Sequence, residues 1–230
     1  MKNTFLFIFA FLLISIKSFG QHPFSQKTQV EFGLGISLPN LNSGQELMRS
    51  QELRNQGLSY LANAEGNHNK VGNYPRLFGF NFHVAYYKPL PKTKGLMLGA
   101  MVRNTQTGTQ PVQGGYEEGY FFNFITAGLA AKFYPTENLP IYLQGDFGIS
   151  AVLTKNRFLN MGNQEFFHQF GIGPGGGLGL GYPIRVNNEK GKTLDLQVGY
   201  QIIQTRVEVN GIGDDNWRFG ALHFSVAYNF

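Results

Sequence analysis

Seven ionisable residues fall on the polar face of locally alternating runs: Glu31, His83, Arg103, Lys132, Asp146, Asp195 and His223. Acids, bases and cations that share one space could relay protons or ions along a gated polar path. They could equally neutralise one another as a plug, because charges taken out of water need partners. The triplet His223-Phe224-Ser225 sets a base and a hydroxyl on one strand face, as nucleophilic catalysis requires. The stretch FGIGPGGGLGLGYP, Phe170 to Pro183, contains G-x-G-x-x-G at Gly171, Gly173 and Gly176, with Asp195 placed where a dinucleotide site wants its acid. His22, His68, His83, His168 and His223 are too dispersed for metal-ligand spacing, so neither a metal nor a cofactor is expected.

Context removes the phosphate cradle. Such a site needs a helix opening on the glycines, since the helix N-terminus supplies the free N–H groups. Here Pro174 interrupts the motif, and Leu178, Leu180 and Tyr182 then alternate with Gly177, Gly179 and Gly181. That is period two, the mark of a strand. Six glycines, Gly171, Gly173, Gly175, Gly177, Gly179 and Gly181, therefore leave one face of a strand bare. Large side chains from the opposite wall could fill that space, or a narrow cavity could remain.

The elements that position these residues follow from composition and periodicity. Charged residues make up 14% of the chain, against roughly 25% in ordinary soluble proteins. Glycine numbers 30, aromatics reach 15% and cysteine is absent. Such a chain is not disordered, since disorder favours charge over aromatics. The net charge of +5 is scattered rather than clustered, so no nucleic-acid partner is expected. Residues 1–20 read as a signal peptide, with Lys2, an apolar core from Phe5 to Ile16, and the small residues Ser18 and Gly20. The lack of cysteine leaves no site for a lipid anchor after it.

Eight segments alternate apolar residues with small or polar ones. The segments are Val30–Ser37, Phe78–Tyr86, Leu96–Arg103, Ile125–Phe133, Ile141–Ala151, the stretch Phe170 to Pro183, Leu194–Ile202 and Leu222–Phe230, with outward residues at every second position. Each run is about the ~9–11 residues a tilted membrane-crossing strand needs. The expected fold is all-β: an eight-stranded antiparallel up-and-down transmembrane barrel occupying residues 21–230. Connections at 88–95, 134–140 and 183–193 are short and read as periplasmic. The first outer loop, Leu38 to Pro75, is the longest, which matches the asymmetry of outer-membrane barrels. Within it Ser43-Gly44-Gln45-Glu46 forms a capping box, predicting a helix over about 43–64. Tyr86, Tyr87, Tyr134, Tyr142, Tyr182 and Tyr228 are expected in a periplasmic aromatic girdle, and Tyr74, Tyr116, Tyr120 and Trp217 in an outer one. A soluble lipocalin-like barrel would invert the faces; the small, nearly neutral polar face here makes a poor solvent surface.

The signal peptide, the eight strands, the inward glycines and the terminal SVAYNF together resemble small outer-membrane β-barrel families of PorT-like or OmpW-like type. The resemblance implies a bacterial outer-membrane location, with lipid and lipopolysaccharide as surroundings. Phe224, Tyr228 and Phe230 would form the C-terminal signal read by the barrel-assembly machinery. PorT-like proteins are linked to a secretion machinery and OmpW-like ones to passage of small apolar molecules. His223-Phe224-Ser225 also resembles the H-x-S motif of outer-membrane lipid A deacylases. That family adds a Glu after the motif and turns its pair toward lipid, whereas here Ala227, Tyr228, Asn229 and Phe230 follow and the pair faces inward. The expected role is non-enzymatic: a component or scaffold of a larger outer-membrane assembly, with loop 38–75 as a surface for a protein partner. A small passive channel is the alternative.

Overall fold

The computed structural model describes residues 27–40, 78–109 except 92 and 94, 112–113, 116–135, 140–160, 163–187, 192–209 and 213–230. The expected signal peptide and the expected loop helix lie outside the described residues. Nine strands follow in order: β1 (Gln29–Asn40), β2 (Phe78–Pro89), β3 (Leu96–Thr109), β4 (Val112–Gln113), β5 (Tyr116–Phe133), β6 (Tyr142–Asn160), β7 (Asn163–Asn187), β8 (Lys192–Val209) and β9 (Gly213–Asn229). The two-residue β4 only pairs with the tip of β5. The eight long strands are antiparallel to their neighbours, and the β1–β9 and β3–β5 pairings close them into a ring. Phe230 N donates to Val30 O at 3.0 Å and secures the seam where the chain ends meet. Closure matters because an open sheet edge in lipid would leave unpaired N–H and C=O groups.

Following hydrogen-bonded partners from Leu34 through Phe82, Asn104, Ile125, Ala151, Ile172 and Arg206 leads to Asn216 on β9. The direct neighbour of Leu34 across the seam is Val226, so the ring closes with a stagger of ten residues. With a rise of about 3.3 Å per residue and strands about 4.8 Å apart, that stagger tilts the strands by roughly 41°. The outward run Leu194–Ile202 then covers roughly 20 Å of membrane thickness, close to the ~25 Å apolar band of this class.

Face assignment follows the alternation. Phe32, Leu34 and Ile36 are exposed on the outside while Glu31, Gly33 and Ser37 are buried inside. The strands are longer than the alternation alone indicates, from 12 residues in β2 to 25 in β7. The extra length lies mostly at the outer ends of β5 to β9, beyond the apolar band. Strand β1 takes in Leu38, Pro39 and Asn40, and β7 runs to Asn187, so the third periplasmic connection shrinks to residues 188–191. At the β2–β3 turn Gly95 has φ of 76°, and a Cβ there would collide with the carbonyl oxygen of Tyr134. Only glycine fits both demands.

Two aromatic expectations are corrected. Tyr87, Tyr134 and Tyr142 are not in a headgroup girdle; they are 0%, 1% and 0% exposed, inside the barrel. Trp217 is likewise interior, 2% exposed, against Phe122. Position near a strand end marks the interface, but the direction of the side chain is set by parity within the strand. Tyr86, Tyr182 and Tyr228 have outward parity and do face the membrane side.

Candidate functional site

The interior of the barrel is the place where the ionisable residues meet. Sequence parity puts them inside, and the ten-residue stagger decides which of them touch. They fall into three tiers along the barrel axis.

The periplasmic tier centres on Lys132, whose side chain is fully buried. Its Nζ pairs with Glu31 Oε2 and lies 3.5 Å from Asp195 Oδ2. It also stands over the rings of Tyr87 and Tyr142, 4.7 Å and 4.6 Å from their centroids. A buried ammonium gains from such ring faces as well as from carboxylates. The carboxylates are themselves held: His83 Nε2 donates to Glu31 Oε1 at 2.9 Å, and Tyr142 OH donates to Asp195 Oδ2 at 2.7 Å. Thr193 Oγ1 donates to Asp195 Oδ1 at 2.7 Å, and Asn229 Nδ2 donates to Thr193 Oγ1 at 3.1 Å. The charged groups of the tier form one connected network in a low-dielectric space, where pairing is what makes their burial tolerable; the Tyr87 hydroxyl is buried without a hydrogen-bond partner.

The middle tier is mostly neutral and polar. Arg103 Nη2 and Asp146 Oδ1 form an ion pair at 2.8 Å. Gln201 accepts from Thr105 Oγ1 at 3.0 Å and from His223 Nε2 at 3.0 Å, and donates to Thr126 Oγ1 at 3.0 Å. Ser225 Oγ donates to Asn81 Oδ1 at 3.1 Å. His223 and Ser225 are thus each bonded to a different partner, and His223 Nδ1 is buried without one. Here the glycine wall finds its role. A Cβ at Gly177 would lie 2.6 Å from Arg103 Nη1, and one at Gly175 would collide with Ser150 Oγ. At Gly181 it would run into the Tyr142 ring. The bare face of β7 is space already taken by Arg103, Ser150 and Tyr142.

The outer tier was not anticipated from the sequence. Phe122, Phe124, Val152, Ile203, Val207, Trp217 and Phe219 all point inward and are at most 2% exposed. Phe124 and Phe219 stack with centroids 3.7 Å apart, and Phe122 meets Trp217 edge to face at 6.1 Å. In the run Phe121-Phe122-Asn123-Phe124 both faces are partly apolar, so alternation there carries no inside-outside signal. Asn123 ends up outward, where it accepts from Asn104 Nδ2 at 2.6 Å.

Between the lower tiers remains a cavity of about 30 Å³, bordered by Asn81, His83, Asp146 and Gln197. Among the described residues no group of three or more His, Asp or Glu is arranged to hold a metal. All seven ionisable residues singled out in the sequence line this interior, and Phe224, Tyr228 and Phe230 lie on the outward face at the closing seam.

A closed ring of eight antiparallel strands, apolar outside and packed with paired polar groups inside, defines a small β-barrel protein of the bacterial outer membrane. No protein-family model matches the chain, and no curated relative does. Solved structures similar to it include Ail, the attachment invasion locus protein of Yersinia pestis, in complex with the heparin analogue sucrose octasulfate. That match has 14% identity and a TM-score of 0.48, covering 89% of this chain and all of that one. Neisserial surface protein A is similar at 15% identity and TM-score 0.43, covering 88% and 97%. The outer membrane protease OmpT of Escherichia coli is similar at 8% identity and TM-score 0.43, covering 88% and 96%. At such identities and scores the likeness is to the general trace of the chain.

Proposed function

We propose that this protein is a sealed, non-enzymatic barrel that serves as a component or scaffold of a larger outer-membrane assembly. The observation that carries this reading is the filled interior. A conducting pore needs a continuous water path, whereas here an ionic tier, a polar tier and an aromatic tier succeed one another, with a cavity of about 30 Å³ between the lower two. Any of the three would obstruct a hydrated solute, which argues against the passive-channel alternative. The bonding of His223 Nε2 to Gln201 and of Ser225 Oγ to Asn81 supports a structural role for the one motif with catalytic spacing. The long outer loop is the proposed protein-docking element, and the C-terminal strand ending in Phe230 the proposed contact with the assembly machinery.

Two measurements test this. In planar bilayers the purified protein is expected to give no steady single-channel openings; reproducible openings overturn the sealed reading. Purification from native membranes in mild detergent is expected to bring down a stoichiometric partner, lost when loop residues 43–64 are deleted. A protein that purifies alone under conditions preserving other membrane complexes overturns the assembly role.

A further inference from the structure

The outer wall carries a feature that the sealed interior does not explain. Outward positions on a membrane barrel are normally filled with large apolar side chains, yet Gly145 on β6 and Pro174 and Gly176 on β7 are outward and small. Each of them pairs across the ladder with a large residue: Gly145 with Leu178, Gly176 with Phe147, and Pro174 with Ile149. Large and small therefore alternate over one patch. Its large members are the most exposed apolar side chains among the described residues: Leu178 at 77%, Leu129 at 76%, Phe147 at 70% and Ile149 at 69%, against 65% or less elsewhere. Between them lies a groove of about 720 Å³, bounded on β8 by Tyr200, Ile202 and Gln204.

Two further observations point to protein over this patch. Pro174 has no N–H, and the β7–β8 register carries no pair at Gly173 or Pro174, between Ile172–Arg206 and Gly175–Ile203. Ile172 and Phe170, farther out on β7, are still outward and apolar, so the interruption falls within the apolar band. Irregular backbone at membrane depth is tolerated where protein covers it, because hydrocarbon offers no hydrogen bond. The second observation is Gln204, which borders the same groove and is exposed on the outside. Its carboxamide has no partner among the described residues. Polar side chains on the membrane side of a segment are costly when left to lipid and act as hydrogen-bonding contacts between segments.

We propose that this patch is an interface between two copies of the chain, related by a two-fold axis along the membrane normal. An isologous contact presents the same surface from both sides, so knobs and holes must share one patch. Leu178 and Phe147 beside Gly145 and Gly176 meet that condition. Hydrocarbon is as apolar as leucine, so van der Waals packing holds membrane segments together, and small residues let the two backbones approach closely enough for it. Each Gln204 carboxamide supplies both donors and an acceptor, so two copies can satisfy each other. The area is also sufficient. Leu98, Tyr200 and Ile202 complete a rim with the four large side chains above. At about 100 Å² each, these seven offer roughly 700 Å² per copy, close to the ~800 Å² a standard interface buries on each side. The contact lies on the wall of β5 to β8 and uses neither the lumen nor the outer loop.

The test uses the full mature chain in its own membrane and in mild detergent. The chain has no cysteine, so single-cysteine variants each report one position. Oxidation in native membranes is expected to join two copies of Phe147→Cys or Leu178→Cys, while Phe80→Cys, exposed on the opposite wall at β2, stays single. Native mass spectrometry of the unaltered chain is expected to show the dimer. Gly145→Leu fills the hole and is expected to weaken dimerisation by about tenfold or more. Its fold should survive, because a Cβ there meets only Leu178 Cδ2 at 3.2 Å and Gly177 O at 3.7 Å, and the heat-induced gel shift checks this. Gln204→Ala is expected to weaken the dimer as well. Deletion of residues 43–64, which tests the assembly role, is expected to leave it in place, so the two readings fail separately. A monomer mass alone, equal crosslinking from Phe80→Cys, or a folded Gly145→Leu that dimerises normally overturns the proposal. So does a crosslinked product whose mass is not twice that of the chain, which would mark a different occupant.

Discussion

Lys132 is the residue on which the periplasmic tier most depends, and Lys132→Met is the perturbation that measures it. Methionine keeps much of the volume and fits between the Tyr87 and Tyr142 rings, so cavity formation is a minor part of the effect. What is lost is the ammonium that faces both Glu31 and Asp195, whose side chains are fully buried. Breaking a buried pair by removing one partner costs about 3–5 kcal/mol, because the remaining charge stays desolvated. Loss of the two ring contacts, at 4.7 Å and 4.6 Å, adds to this, while protonation of one carboxylate offsets part of it. The expected destabilisation is therefore about 3–5 kcal/mol, read by urea unfolding in liposomes. The decisive control removes the stranded charges too. Lys132→Met/Glu31→Gln/Asp195→Asn is expected to recover about 1–3 kcal/mol relative to the sum of the separate effects, since groups in one network are strongly non-additive. A single variant within about 0.5 kcal/mol of the original, or strictly additive combinations, would refute the idea that pairing to Lys132 is what holds this tier.

Gly177→Leu should destabilise by at least ~1–3 kcal/mol because the new side chain must displace Arg103, whereas neighbouring Leu178→Ile should be nearly silent and Leu178→Lys should cost about 2–4 kcal/mol near the midplane; the same urea series reads all three, and a silent Gly177→Leu would mean that the glycine wall faces open space. Phe219→Ala removes the stack on Phe124 and should cost about 3–5 kcal/mol, yet the variant should remain non-conducting in planar bilayers because the two lower tiers persist; steady openings would show the outer tier to be the only seal. Tyr142→Phe keeps the ring over Lys132 and deletes the hydroxyl bonded to Asp195, for an expected loss of about 1.5–3 kcal/mol by urea unfolding; no change would mean that Asp195 is satisfied by Lys132 and Thr193 alone.

The sequence determined by itself how the wall is laid out. Period-two alternation on β1, β2 and β8 separates Phe32, Phe82 and Leu196 on the outside from Glu31, His83 and Asp195 on the inside, because side-chain direction in a strand depends only on parity. The same local rule made the glycine stretch a strand and placed all seven ionisable residues in the interior. It failed where both faces are apolar, as at Phe121 to Phe124, and it placed Tyr87, Tyr142 and Trp217 by their nearness to strand ends when their direction was inward. Contacts across the interior were beyond it altogether. That Lys132 meets Glu31 and Asp195, or that Arg103 enters the space left by Gly177, follows from eight strands closing with a ten-residue stagger. Stagger is a property of the ring as a whole: each hydrogen-bonded pair is locally satisfied at many registers, and only closure with a filled interior and an unbroken apolar exterior selects one.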